Sequence, residues 1–310
     1  MTQKVDWKKK QVNRLVETFT EMDDTQQMEV MDAIRYNHAL QAAKQVGMTK
    51  TVTFGDMYQT AIDRQKHFNK YEGFGTGLPY FDEATMGFRG GELIIIAAPS
   101  NFGKTMIAMN IVANIAANTL KKVVMITMEM TPAEVSTRLY NMIDKENHDT
   151  LKDNFIIQTE LSVSAEHVKA IVKKHKPDIL LIDHLGFLAK QEPGSEERQQ
   201  IDTAMAKIKR LAINENIPII MISHVAKTRS GGSGEATVQD LKGSSAIEQD
   251  SDMVFMINKP KQQMFLDQGI TEIVVKLEKH RTKNPRGLFH QPVLIQMKGV
   301  RTDGKYTLYH

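Results

Sequence analysis

The stretch Leu93-Ile94-Ile95-Ile96-Ala97-Ala98-Pro99-Ser100-Asn101-Phe102-Gly103-Lys104-Thr105 sets the fold. Its first five residues are apolar without alternation, as in a strand covered on both faces. They feed a tight loop ending in Gly103-Lys104-Thr105, and Met106 to Ile115 continues as an apolar helical run. Strand, loop and helix in that order predict a phosphate-binding P-loop over Ala98, Pro99, Ser100, Asn101, Phe102, Gly103, Lys104 and Thr105. Ala98 stands where the pattern usually has its first glycine. Such a loop turns backbone N–H groups, and the positive end of the next helix, toward phosphates. Lys104 is then placed to reach the β- and γ-phosphates of ATP or another NTP, and the Thr105 hydroxyl to hold Mg²⁺.

Outward from this loop, strands and helices alternate from Leu78 onward, which predicts an α/β fold with a mainly parallel, helix-covered sheet. The predicted strands are Leu93–Ala97, Val123–Met128, Ile179–Ile182, Ile217–Ser223 and Met253–Ile257. Before the fourth, Ile201, Ala204, Met205, Ile208, Leu211 and Ala212 share one face of a long helix, with Lys207, Lys209 and Arg210 off it. Glu272–Lys279, Pro292–Lys298 and Tyr306–Tyr309 read as antiparallel strands, with Asp303-Gly304 as a hairpin turn. Thr228 to Thr237, which holds Ser230-Gly231-Gly232-Ser233-Gly234, is the segment expected to be least ordered.

The N-terminal part reads differently. Residues 1–50 form a helical segment, with Val12, Leu15, Val16 and Phe19 at helical spacing, too short for a core of its own. Residues 51–74 hold a separate amphipathic helix, Thr53 to Tyr71, with Met57, Ala61 and Phe68 on one stripe. It either docks on a neighbouring subunit or folds back on its own domain, which spans 75–310.

Composition narrows the classes. Of 310 residues, 41% are hydrophobic and 25% charged, ordinary for a globular protein. The net charge of +3 permits a nucleic-acid partner without requiring one. There is no cysteine, hence no disulfide, thiolate metal site or thiol nucleophile. No run approaches the roughly 18 apolar residues of a membrane span, and no signal-peptide core follows the first basic residues. The expected setting is a reducing cytoplasm, with no membrane partner.

Two more apolar strands end in carboxylates. Asp178-Ile179-Leu180-Leu181-Ile182-Asp183 would bring Asp183 to the crevice that the P-loop faces, where it can hold Mg²⁺ with Thr105. His184 beside it reads as a packing or capping residue. Val123 to Thr127 leads to Glu129, which either orients the attacking water or is a solvated glutamate near the helix start Thr131-Pro132. A third strand, Ile219-Ile220-Met221-Ile222-Ser223-His224, ends in a polar pair that could sense the γ-phosphate. The loop after it carries Lys227, Arg229 and Lys242-Gly243-Ser244, and is either a grip on a nucleic-acid backbone or a solvated loop.

The ordered set is similar to a known family. Gly87-Phe88-Arg89-Gly90-Gly91-Glu92-Leu93-Ile94, Glu129-Met130-Thr131-Pro132, Leu181-Ile182-Asp183-His184-Leu185, Ile222-Ser223-His224, Asp240 to Asp252 and Lys279-His280-Arg281 resemble, in order and spacing, the RecA-like motor domain of hexameric DnaB-type replicative DNA helicases. The likeness covers roughly residues 75 to 310. It implies a P-loop NTPase core, ATP and Mg²⁺, Glu129 as catalytic base and His224 as γ-phosphate sensor. Lys279 and Arg281 would act in trans on a neighbour's nucleotide. Lys190, Arg198, Lys227, Arg229, Lys242, Gly243 and Ser244 would line the path of single-stranded DNA. Partners would be single-stranded or forked DNA, further copies in a ring, most simply a hexamer, a primase and a helicase loader.

Departures qualify the resemblance. Pro99 replaces an arginine common in the family, and His224 stands where glutamine is frequent, histidine being typical of the phage helicase–primase branch. The roughly 75 residues before the motor hold no zinc-ribbon cysteines and leave no room for a primase polymerase domain. They are also shorter than the bacterial helical collar. Two other classes share these motifs. One is a recombination or repair ATPase of the same superfamily, and the other a non-motor ring switched by ATP.

Overall fold

The computed structural model describes residues 53–55, 58, 73–100, 102–160, 162–225, 236–241, 243–258, 270–281, 294–302 and 305–309. The chain divides into two compact units, residues 1–66 and 67–310. In the first, Phe54, Gly55 and Tyr58 are helical, and the two rings meet edge-on at 5.6 Å. The helical segment predicted over residues 1–50, and most of the helix over 53–71, lie outside the described residues.

The second unit is built on a nine-stranded sheet in the order β3-β2-β4-β5-β1-β6-β7-β8-β9. Strands β1 (Leu93–Ala98), β2 (Val123–Thr127), β3 (Phe155–Thr159), β4 (Ile179–Asp183), β5 (Ile219–His224) and β6 (Met253–Asn258) run parallel. Strands β7 (Ile270–His280), β8 (Leu294–Thr302) and β9 (Lys305–Tyr309) extend the sheet antiparallel beyond β6. Thr302 pairs with Lys305, the register a two-residue hairpin requires, while Asp303 and Gly304 lie outside the described residues.

Successive side chains of a strand point to opposite faces, and here each face has its own core. Ile94, Ile96 and Ala98 of β1 pack with α1 (Pro79–Thr85), α2 (Lys104–Thr119), α3 (Pro132–Met142) and α4 (His148–Asn154). Leu93, Ile95 and Ala97 pack with α5 (Ala165–His175), α6 (Leu185–Ala189) and α7 (Glu197–Glu215). With helices on both sides, β1 has no solvent-facing register, which explains its unbroken apolar run. Each fully buried leucine or isoleucine contributes roughly 1.5–3 kcal/mol, so the strand carrying the P-loop is rigidly held. Helix α2 follows the same logic. It lies against the sheet centre, and nine of its apolar and polar positions from Ile107 to Ala116 are buried.

Several boundaries differ from those predicted, each for a local reason. Strand β5 begins at Ile219 because the Ile217 N–H closes α7 on the Ala212 carbonyl and Pro218 has no N–H to give. Strand β2 ends at Thr127, whose hydroxyl accepts the N–H groups of Glu129 and Met130 and turns the chain. Strand β3 is not among the predicted strands: it is a short edge strand, half-buried after Phe155, and its apolar run, Phe155-Ile156-Ile157, is only three residues long. The segment expected to be least ordered is fastened at its end. Ala236 is buried and exchanges hydrogen bonds with the Asn258 amide (2.9 and 3.1 Å), and Thr237 caps the turn to Asp240.

Candidate active site

In an open parallel sheet the crevice lies at the carboxyl ends of the strands. Four neighbouring strands, β2, β4, β5 and β1, deliver Glu129, Asp183, His224 and the P-loop to that end. Register aligns them, with Thr127 opposite Asp183 and Ala98 opposite His224. A backbone bond from Met128 N–H to the Asp183 carbonyl (3.0 Å) ties the exits of β2 and β4 together.

The P-loop enters α2 through Gly103, whose φ of 78° is the left-handed conformation that glycine adopts without strain. Lys104 is the first residue of the helix and 7% exposed. Burial holds its ammonium below the usual lysine range, opposed by the carboxylates of Glu129 and Asp183. The Thr105 hydroxyl donates to Asp183 Oδ2 at 3.0 Å. Asp183 Oδ1 is buried, and among the described residues it has no hydrogen-bond partner. Burial, and then the nearby Glu129 charge, push the Asp183 carboxyl up to about 6. A buried oxygen without a donor, beside a carboxylate and a hydroxyl oxygen, fits a hard divalent cation such as Mg²⁺.

The linkage follows from that shift. The fold prefers protonated Asp183, so its favourable contribution is complete below the ordinary carboxylate value and is lost as pH rises through about 6. Asp183→Asn, neutral throughout, should therefore melt higher than the parent in metal-free buffer above pH 6, by roughly 3 kcal/mol at most. The difference should close as pH falls toward 4. Thermal melts of both proteins in chelator between pH 4 and 8 check this, and parallel curves would refute it.

Glu129 is held by two imidazoles through one oxygen. Its Oε1 lies 2.9 Å from His184 Nε2 and 3.4 Å from His224 Nε2. The two rings meet edge-on at 4.3 Å. His184 follows Asp183 through a cis peptide and caps α6, accepting the Gly186 N–H on Nδ1 at 2.9 Å. Burial, and then His224, hold His184 down at about 4, so its bond to Glu129 comes from a neutral ring. His224 is also held below the usual histidine range by burial and by Lys104. Behind the pair lies a cavity of about 200 Å³ lined by His184, Phe187, Lys190, Ile201, Ser223 and His224.

The capping role expected of His184 is present, but its contact with Glu129 was not foreseen. Residues 73–162 and 140–288 match the DnaB-like helicase C terminal domain, overlapping stretches that take in well over half the chain. The chain belongs to this family. Replicative DNA helicase DnaB of Treponema pallidum (strain Nichols) is 25% identical over 251 residues, 73% of this chain and 55% of that relative. A probable plasmid replicative DNA helicase of Chlamydia psittaci is 24% identical over 245 residues, 70% of this chain and 54% of that relative. The chain thus spans about half the length of the curated relatives it matches. The fold is that of an ATPase domain of known structure (TM-score 0.70, 18% identity, 84% of this chain and all of that one). It is also that of a DnaB-like replicative helicase studied with primase (TM-score 0.65, 17% identity, 96% and 76%).

Not every predicted site residue of this DnaB-like domain gathers at the crevice. Lys279 is the next-to-last residue of β7, and β7 runs antiparallel to β6, so Lys279 and Arg281 lie beside the start of β6. Arg281 N–H donates to the Asp252 carbonyl, and Asp252 Oδ2 accepts the Leu93 N–H at 2.7 Å. The two cations therefore stand where β1 begins, and the P-loop where it ends, roughly 17 Å away at 3.3 Å per residue. Both rest on carbonyls at the end of α8 (Ser244–Asp250): Lys279 on Glu248 and on Ser251 (2.5 Å), Arg281 on Gln249. Asp252 joins this corner by pairing with Lys209 (2.5 Å) and Arg281 (3.6 Å). Lys209, read as off the buried face of α7, is thus tucked into the fold.

Among the expected DNA contacts, Lys190 and Arg198 are exposed, with the Arg198 guanidinium reaching Ser245 Oγ at 3.3 Å. Gly243 precedes α8 at a φ of 69° and packs against Ile201 of α7, so its smallness also has a local structural reason. Lys227, Arg229 and Lys242 lie outside the described residues.

Proposed function

We propose that this chain is the ATP-driven motor of a replicative DNA helicase, acting as a ring, most simply a hexamer, that moves on single-stranded DNA and separates the duplex. The observation that carries this reading is the division of the hydrolytic set between opposite ends of one sheet. Lys104, Thr105, Asp183, Glu129 and His224 share the crevice, whereas Lys279 and Arg281 stand at the far end of β1. A single copy cannot bring them to one nucleotide without dismantling the sheet, but a neighbour can.

Within that reading, the P-loop and α2 N-terminus cradle the phosphates, and Lys104 supplies charge between β and γ. Thr105 and Asp183 would hold Mg²⁺, which when bound offsets phosphate charge. Glu129 orients the attacking water and takes its proton, and His224 reports whether the γ-phosphate is present. Lys279 and Arg281 complete the adjoining subunit's site, and hydrolysis loosens that joint by removing the charge they pair with. The helix within 51–74 is the tether between subunits, and Lys190 to Arg198 with Lys227 to Ser245 follow the DNA backbone. The setting is cytoplasmic, with a primase and a loader as expected partners; among the described residues no helix is long and apolar enough to cross a membrane.

Unwinding of a forked duplex, with ATPase measured with and without single-stranded DNA, tests this. DNA-stimulated ATPase without unwinding would point to a recombination or repair enzyme, and oligomers indifferent to DNA to a non-motor ring. Neutralising Lys227, Arg229 and Lys242 together should weaken single-strand binding and reduce the salt slope by about 0.7 per lost phosphate contact, leaving DNA-independent ATPase intact. An unchanged slope would remove this loop from the DNA path.

A further inference from the structure

Glu129, His184 and His224 place three ligand-type atoms within 4.8 Å of one another, the donor set of a metal site. The hydrogen bonding of His184 argues for something else. A metal-bound imidazole donates its remaining N–H outward. Here Nδ1 accepts the Gly186 N–H at 2.9 Å, so the ring's single proton sits on Nε2, pointed at Glu129 Oε1 2.9 Å away. Nε2 is therefore a donor and not a ligand.

We infer that His184 is a positioning residue for hydrolysis: the Gly186 N–H fixes its tautomer, and its Nε2–H tethers Glu129 Oε1, leaving Oε2 to face the attacking water. This rests on the reading of Glu129 as the base. A flexible glutamate at a strand exit has several rotamers, and a misplacement of about 1 Å in a catalytic group can cost about a hundredfold in rate. One hydrogen bond from a ring that is itself pinned removes that freedom. Phe187, whose ring centroid lies 4.7 Å from that of His184, packs the imidazole from the other side.

The two functions of the ring, cap and tether, use different nitrogens and can be separated by substitution. His184→Asn keeps an acceptor at the Nδ1 position for Gly186, and asparagine is a favoured helix cap, but its amide is too short to reach Glu129. His184→Gln carries an N–H donor further out, toward Glu129, and gives up the cap. Steady-state ATPase and thermal melts of the full chain should then cross. His184→Asn should keep the parental Tm and ATP KM while kcat falls about 10- to 100-fold. His184→Gln should have a lower Tm yet recover part of kcat.

If kcat instead follows Tm through the pair, or His184→Asn turns over like the parent, the ring is structural and the tether is refuted. Glu129→Gln, measured alongside, separates the two claims. Normal turnover there would overturn the base assignment and the tether with it, whereas an inactive Glu129→Gln beside a normal His184→Asn overturns the tether alone.

Discussion

Arg281→Ala subunits are expected to bind ATP like the parent and to hydrolyse it on the order of a thousandfold more slowly or worse, the usual worth of an arginine that stabilises the transferring phosphoryl group. Mixed with Lys104→Ala subunits, they should regain ATPase, because some interfaces then pair an intact P-loop with an intact arginine. The guanidinium has a fixed fork of donors suited to phosphate oxygens. In its own chain that fork is spent on the Gln249 carbonyl and on Asp252 at 3.6 Å. That resting place is one carbonyl bond and a long ion pair, whereas a γ-phosphate can take two parallel, charge-assisted bonds from the fork, so a neighbouring γ-phosphate can outcompete it. The fold should survive the substitution, since Asp252 keeps Lys209 and the Leu93 N–H. Absence of recovery in rings shown to be mixed would count against action in trans.

Glu129→Gln is the second large effect. Glutamine keeps the size of the side chain and an oxygen that can accept the His184 N–H, but it cannot take a proton from water. Turnover should fall by about two orders of magnitude or more while nucleotide binding and assembly persist, matching the usual contribution of a positioned base. Lys104→Ala should behave differently, weakening nucleotide binding itself, because it removes a buried positive charge facing Asp183 and Glu129. Filter binding of labelled ATP distinguishes the two. Near-normal turnover in Glu129→Gln would take that residue out of the chemistry.

The legible part of this fold was the part with no choice of face. Strands β1, β4 and β6 are buried on both sides, so their apolar runs are unbroken and read directly. The six positions predicted for the buried face of α7 are its six buried positions. Edge strand β3, with one neighbour and half-exposed side chains, left no such trace. In the site, each carboxylate was readable as a polar residue ending an apolar strand, because that signal is local. The pairing of His184 with Glu129 depends on β2, β4 and β5 lying side by side, an order that no spacing along the chain encodes. Asp252 was hidden for the same reason: its partners Leu93, Lys209 and Arg281 come from three distant segments.

Helix α8 has seven residues, about 10 Å of rod at 1.5 Å per residue. Its first residues adjoin the loop proposed to hold DNA, and its last carbonyls hold the two cations proposed to serve the next subunit. On that reading, a subunit that takes up a strand of DNA disturbs the seat of its own Arg281, and the effect is felt at the nucleotide next door. Order would then arise without a messenger. Each subunit would set the clock of one neighbour and be set by the other, and the direction in which turns pass around the ring would be written into the fact that the chain enters α8 from the DNA side and leaves it toward the cations.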